Sequence, residues 1–290
     1  MNWMKFRWFY FLVSGIVLAF SVYAIATWGF RPSIDFTGGS VVEYRFQGRV
    51  EASKVSEDIV AQGYELKEVK SISANSLELK FVPTFEQRNA EDLSAILAQS
   101  LKEKPEIVRF ETVGPALSTE ILEKTYIAIA IAATGILLWV AWQFKSIQFG
   151  ISAILATLHD TIILLGVFAV LGHYKGVEVD ILFVTAVLTT LSFSVHDTIV
   201  VYDRIRESKR RFSSVSFVDL SNKAVTETMG RSLNNSLTII FMLLALFLMG
   251  GVTIKWFVAA LLVGTISGTY SSPFVAVPLL VMWDWIRGRF

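Results

Sequence analysis

The residues of this 290-residue chain best equipped for chemistry sit where chemistry is costly. Positions 191–207 read LSFSVHDTIVVYDRIRE. The first two thirds of that stretch suit hydrocarbon, yet His196 and Asp197 stand side by side within it. A carboxylate near a bilayer centre costs about 2.5–3.5 kcal/mol on insertion scales. Helical spacing sets Thr190, Ser194, Asp197 and Arg204 on one face. A second stretch, ATLHDTIILLG, places Asp160 near the middle of an apolar run, with Thr157 on its face and His159 beside it. Arg231 is followed at i+4 and i+7 by Asn235 and Thr238. Gly264, Gly268 and Ser271 fall in one row, and a G-x-x-x-G spacing permits close helix approach.

A buried carboxylate that alternates between neutral and ion-paired forms is what a proton relay requires. The candidate relay is therefore Asp197, Arg231 and Asp160, supported by His196, Ser194, Thr190, Asn235 and Thr238. The plainer reading is polar glue, interhelical hydrogen bonds worth about 0.6 kcal/mol each. For Arg231 it is snorkelling to headgroups. The two aspartates weigh against glue, because weaker polar residues would serve it at lower cost.

Residues of this kind need a membrane scaffold, and composition supplies one. The chain is 53% hydrophobic and 18% charged, with mean hydropathy +0.55, against about 25% charged in soluble domains. A net charge of +1 gives no global field for nucleic acid. The absence of cysteine excludes disulfides, Cys-ligated zinc, iron–sulfur clusters and cysteine nucleophiles. No metal site or cofactor is implied. Six stretches reach the roughly 20 apolar residues that cross hydrocarbon: about 8–29, 124–144, 147–171, 180–202, 233–250 and 256–283. The first reads as an uncleaved anchor, because TWGFRPSIDF after it lacks a small-x-small cleavage site.

Basic residues set the orientation. One side holds Lys5, Arg7, Lys145, Arg204, Arg206, Lys209, Arg210, Arg211, Lys223, Arg231, Arg287 and Arg289; the short loops opposite hold only Lys175 and Lys255. Both termini are expected inside, with residues 31–122 outside.

That external segment reads as a folded module. VVEYRF alternates as a strand, ASKVSEDIVAQGY has helical spacing, ELKEVKSIS and SLELKFV are strands, TFEQRNAEDLSAILAQSLKEK is an amphipathic helix with Thr84 as N-cap, and PEIVRFETV is a last strand. The order βαββαβ predicts a ferredoxin-like α+β sandwich. Just before it, DFTGGS suits a tight turn, with Asp35 leading and Gly38 and Gly39 free to take positive φ. The expected division is an anchor helix at 1–30, the external domain at 31–122 and five further helices at 123–290.

These motifs together resemble the bacterial SecD/SecF family, in its smaller, SecF-type members. DFTGG after the first span, VGPALSTE before the second, LHD in the third, SVHDTIVVYDRIRE in the fourth, TMGRSLNNSLT into the fifth and GTYSSPFVAVPLL in the sixth fall in the family's order. Three positions depart from it: His196 stands where Asn is usual, Glu227 where Gln or Asn is common, and Thr238-Ile239 where Thr-Thr is frequent. The resemblance implies six helices forming half of an RND-like twelve-helix unit, in a bacterial cytoplasmic (inner) membrane. It implies SecD as the other half, the SecYEG translocon and YajC as associates, and an unfolded translocating polypeptide as client. Protein export would be driven by protons, or by Na⁺, with Asp197 and Arg231 conducting and no enzymatic step. An RND-type efflux component is the alternative, disfavoured by six spans and one small external module. An intramembrane enzyme lacks G-x-G-D, H-E-x-x-H and G-x-S-x-G patterns, and a passive scaffold would leave Asp197 replaceable.

Overall fold

The computed structural model describes all residues except Lys102, Lys145, Ser213 and 288–290, and leaves out the side chains of residues 137, 141, 252 and 287. Two of the basic residues counted for orientation, Lys145 and Arg289, lie outside the described residues. The chain divides into two compact units, Pro32–Tyr126 and the remainder, Met1–Arg31 with Ile127–Phe290.

The smaller unit opens with one helical turn, α2 (Ile34–Thr37), capped by Ser33, whose hydroxyl accepts from the Asp35 amide. The order that follows is β1 (Gly39–Arg45), α3 (Ala52–Ala61), β2 (Leu66–Ser73), β3 (Ser76–Phe81), α4 (Gln87–Leu101) and β4 (Glu106–Val113). The sheet is antiparallel in the order β2-β3-β1-β4, the strand order of a split βαββαβ sandwich. One face of β1 and β3 buries Val42, Tyr44, Leu77, Leu79 and Phe81 against Val55, Ile59, Leu93 and Leu97 of the two helices. Thr84 does not cap α4. The helix begins at Gln87, and Asn89 Oδ1 accepts from the Glu86 amide instead. The glycine pair meets a stricter demand than turn-making. Gly38 and Gly39 have φ of 68° and 144°, and a Cβ on Gly39 would lie 2.8 Å from the Phe81 carbonyl oxygen.

The larger unit is helical. A 3-10 turn (Trp3–Phe6) leads into α1 (Arg7–Trp28). Then come α5 (Pro115–Phe144), which begins in the smaller unit, α6 (Ile147–Lys175), α7 (Ile181–Arg211), α8 (Phe217–Met249), α9 (Val252–Ser271), a π-helical turn (Ser272–Ala276) and α10 (Val277–Arg287). Among the described residues, six helical segments are long and apolar enough to cross a membrane, the last running through α9, the π turn and α10. Their bounds exceed the apolar windows. α8 starts at Phe217, where Ser216 accepts from the Asp219 amide and Asp219 complements the helix dipole. Such a polar extension is helical by capping and spacing, and a hydropathy window cannot see it.

α7 and α9 run parallel in a constant register. Gly264 packs on Thr190 and Gly268 on Ser194, while Thr198 bonds Ser272 at 3.0 Å and Tyr202 donates to the Ala276 carbonyl at 3.0 Å. The offset is 74 residues at every step, over about 18 Å of helix. A Cβ on Gly264 would sit 2.1 Å from Thr190 Cγ2, so no larger residue fits without parting the helices. Two apolar clusters bracket the pair. One contains Ala153, Ala156, Val201, Tyr202, Ile205, Ala276 and Leu280; the other contains Leu164, Phe168, Phe183, Val187 and Ala260. Between them lies a buried polar layer.

Candidate functional site

The polar layer gathers what the sequence scattered over α6, α7, α8 and α9. Its centre is Asp160, 5% exposed. Oδ2 accepts from Ser194 Oγ and Ser271 Oγ, both at 2.6 Å. Oδ1 accepts from Ser267 Oγ at 2.6 Å and lies 3.0 Å from His159 Nδ1. A carboxylate offers about four acceptor positions, and here all four are taken. Three helices meet on one side chain. The short Ser194–Gly268 approach makes this possible, because a side chain at Gly268 would press on Ser194 and reach Asp160 Oδ2. His159 is also buried, and its Nε2 has no hydrogen-bond partner.

Asp197 is 3% exposed and has a different environment. Its recorded side-chain hydrogen bond is from Ser232 Oγ to Oδ2 at 2.7 Å. Ser194 and Asp197, one helical turn apart on α7, therefore face different neighbours: Ser194 joins α6 and α9, while Asp197 meets α8. The ion pair expected between Asp197 and Arg231 is not formed in this structure. Arg231 is exposed and, among the described residues, pairs with no carboxylate. The supporting residues divide in the same way. Thr190 is buried and donates to the Val187 carbonyl. His196, Asn235 and Thr238 are exposed on α7 and α8, with Thr238 bonded back to the Asn234 carbonyl.

Sequence reasoning missed Ser232 and Ser267, which carry the direct contacts, and the Thr269–Ser236 bond at 2.7 Å that ties α8 to α9. A signal was present. Thr228, Ser232 and Ser236 recur every fourth residue, and Ser267 and Ser271 do the same, which marks one helix face each.

At the end of α7 that carries its basic residues, Arg204 is held by two carboxylates: Nε to Glu227 at 2.5 Å and Nη1 to Glu207 at 2.6 Å. These groups line an open cleft of about 700 Å³, with Val200, Thr228 and Arg231 among the others.

Comparison with known proteins bears on this geometry. The family model "Protein export membrane protein SecD/SecF, C-terminal" matches residues 93–285, and "SecD/SecF GG Motif" matches residues 23–48. A protein translocase subunit SecF from Thermobaculum terrenum is 40% identical over 97% of this chain and 93% of its own length. The one from Synechocystis is 33% identical over 99% and 93%. The crystal structure of SecDF from Thermus thermophilus, titled a translocon-associated membrane protein, superposes with a TM-score of 0.86 at 30% identity. It covers 98% of this chain, which spans only 38% of that longer one.

Proposed function

This chain belongs to the SecD/SecF family of protein-export membrane proteins, and from that membership we propose that it is the SecF half of a SecD–SecF pair assisting protein translocation through SecYEG. The pair works in the bacterial cytoplasmic membrane, with both termini of this chain inside and residues 31–122 outside. Protons drive it, and Asp197 and Arg231 form the relay on this half.

One observation carries the reading. His196, Arg231, Asn235 and Thr238 are exposed on the two helices that flank buried Asp197, within segments apolar enough to span a membrane. Ionisable side chains in a span face protein or a water-filled cavity, not lipid. Arg231 opens on the cleft; for the others a covering partner meets the requirement, and SecD is the partner that the longer Thermus chain suggests. Asp160, with its acceptor positions filled, acts as a fixed tie; Asp197, with one hydroxyl on it, is the group free to change state.

The relay then works by exchange. Ser232 and Arg231 are neighbours, set about 100° apart around α8. A partial turn of α8 with extension of the arginine side chain replaces one by the other on Asp197. A proton arriving from outside neutralises Asp197 and releases Arg231; loss of the proton to the inside restores the pair.

A double-mutant cycle on proton-dependent export, at matched protein levels, tests this. Asp197→Asn keeps size and hydrogen bonding but removes titration, so export assistance is lost while the complex still assembles. Arg231→Met gives the same loss, the double variant is no worse than either, and Arg231→Lys recovers only part, because an ammonium lacks the planar fork. Wild-type export by Asp197→Asn, or additive losses at the two sites, would overturn the relay.

A further inference from the structure

We propose that the cleft below Asp197 is the inward half of the ion path and that Glu227 is the carboxylate that takes the proton there. The inference rests on the relay reading above and names the next group in it. Three observations converge. The first is the cleft's position. Val200 and Thr228 line it, and they lie one helical turn beyond Asp197 and Ser232, about 5 Å along their helices. The cleft runs on past Arg231, Glu227 and Arg204 to Glu207 and Arg210, toward the basic ends that orientation assigns to the inside. At about 700 Å³ and with a charged lining, it has the room and the polar partners that water requires.

The second observation is the pairing of Glu227. It stands four residues before Arg231 on α8, the spacing at which a glutamate and a following arginine favour each other. It is bound instead to Arg204 of α7, and Arg231 is left without an ion pair among the described residues. Arg204 keeps a second carboxylate, Glu207, so it stays neutralised when Glu227 departs. Glu227 is thus held by Arg204, whose hydrogen bond and charge favour the ionised carboxylate, and a second cation, Arg231, lines the same cleft.

The third is charge bookkeeping around that carboxylate. Arg204 and Glu207 face it from α7, Arg231 and Lys223 flank it on α8, and Arg206, Arg210, Asp203 and Gln143 complete the lining of the cleft. Arg206 is occupied by the Gln143 carbonyl and by Asp203, and Arg210 lies about one turn further along α7. When Arg231 moves up to Asp197, Glu227 remains with Arg204. When Arg231 is released by protonation of Asp197, it competes for Glu227. The step is a proton transfer: Asp197 loses its proton to water in the cleft, Glu227 accepts it as it parts from Arg204, which Glu207 still holds, and Glu227 passes it to water on the inner side and pairs with Arg204 again.

The experiment uses inverted membrane vesicles containing the whole translocation complex, so that the inner face is bathed by the assay buffer. Proton-driven export assistance is measured against buffer pH for wild type, Glu227→Gln, Glu91→Gln and Asp197→Asn. Gln keeps the size and can still bond Arg204. Glu227→Gln is expected to slow the reaction by about ten-fold or more, since a positioned acid–base group contributes roughly 10²–10⁴, and to flatten its dependence on inner pH. Added formate, small enough for the open cleft, should restore part of the rate. Glu91→Gln, on the surface of the small unit, should keep the wild-type profile. A wild-type pH profile for Glu227→Gln overturns the inference. So does a loss that formate does not relieve, which would make Glu227 a clamp for Arg204. If Asp197→Asn itself retains proton-dependent activity, the relay reading has failed and this step falls with it. If Asp197→Asn is inactive and Glu227→Gln is normal, only this step fails.

Discussion

Asp160→Ala should destabilise the helical unit far more than any change at Asp197, and the structure sets the size. Alanine removes the acceptor of three serine hydroxyls and of the His159 ring nitrogen. If each bond were ordinary interhelical glue at about 0.6 kcal/mol, the loss would be about 2.4 kcal/mol. Bonds to a charged acceptor are worth about 1.5–3 kcal/mol each, which raises the expectation to about 6 kcal/mol. Relief is available to Ser271, whose hydroxyl also lies 3.3 Å from the Gly268 carbonyl. Asp160→Asn keeps one oxygen acceptor, and its amide can donate to hydroxyls that turn to accept; four neutral bonds at about 1 kcal/mol in place of about 1.5 give an expected loss of about 2 kcal/mol. Asp197→Asn disturbs one hydrogen bond, from Ser232, and should cost under about 1 kcal/mol. Reversible unfolding of the purified protein in mixed micelles, followed by helical circular dichroism against SDS mole fraction, ranks the three. Asp160→Ala within about 0.5 kcal/mol of wild type, the scatter of a featureless surface substitution, would refute the hub. So would Asp160→Asn as damaging as Ala, because geometry would then matter less than charge.

Two further outcomes follow from orientation and from the small unit. Because the chain has no cysteine, single cysteines at exposed Ser73 and Ser214 report topology directly: an impermeant thiol reagent on intact spheroplasts should label Ser73→Cys and spare Ser214→Cys, and the reverse pattern would invert the proposed orientation. In the small unit, burial, and then the neighbouring Tyr64, push the Tyr44 phenol above its ordinary range. The neutral form is favoured in the fold, so its stabilisation is complete below about pH 10 and is lost as pH rises beyond it; Tyr44→Phe should flatten that alkaline loss, and an unchanged slope would place it on other groups.

Much of the architecture was legible because it rests on periodicities. Alternation in VVEYRF and SLELKFV is the sheet's two-faced burial, with Val42, Tyr44, Leu77 and Leu79 inward, and six apolar runs became six long helices. The helix starts at Pro115 and Phe217 were hidden because their first turns are polar and hydropathy discounts them, although Pro115 suits a first helical position and Ser216 caps the other. At the site, Asp160 and Asp197 stood out because a membrane carboxylate is costly. Which of them is tied down was not legible. That distinction depends on Ser267 and Ser271 arriving from more than a hundred residues away, and serine spacing gives a face without a partner. Arg231 was read toward Asp197 from the family resemblance, but Ser232, one residue on, is the position that faces α7.

The contrast between the two aspartates also bounds what a proton can do here. Moving one charge across 100 mV supplies about 2.3 kcal/mol. That exceeds the worth of the single Asp197–Ser232 bond, about 1 kcal/mol. It only equals the four bonds at Asp160 at their lowest value of about 2.4 kcal/mol, and it falls well short of the about 6 kcal/mol that a charged acceptor gives them. The interlock of Thr190 with Gly264 and of Ser194 with Gly268 adds steric resistance to sliding in the same block. On the proposed relay, one proton therefore has the energy to exchange the partner of Asp197, while the α6–α7–α9 junction stays in register. The working motion is assigned to α8, the helix that carries Arg231 and Glu227, against a core that Asp160 keeps in register.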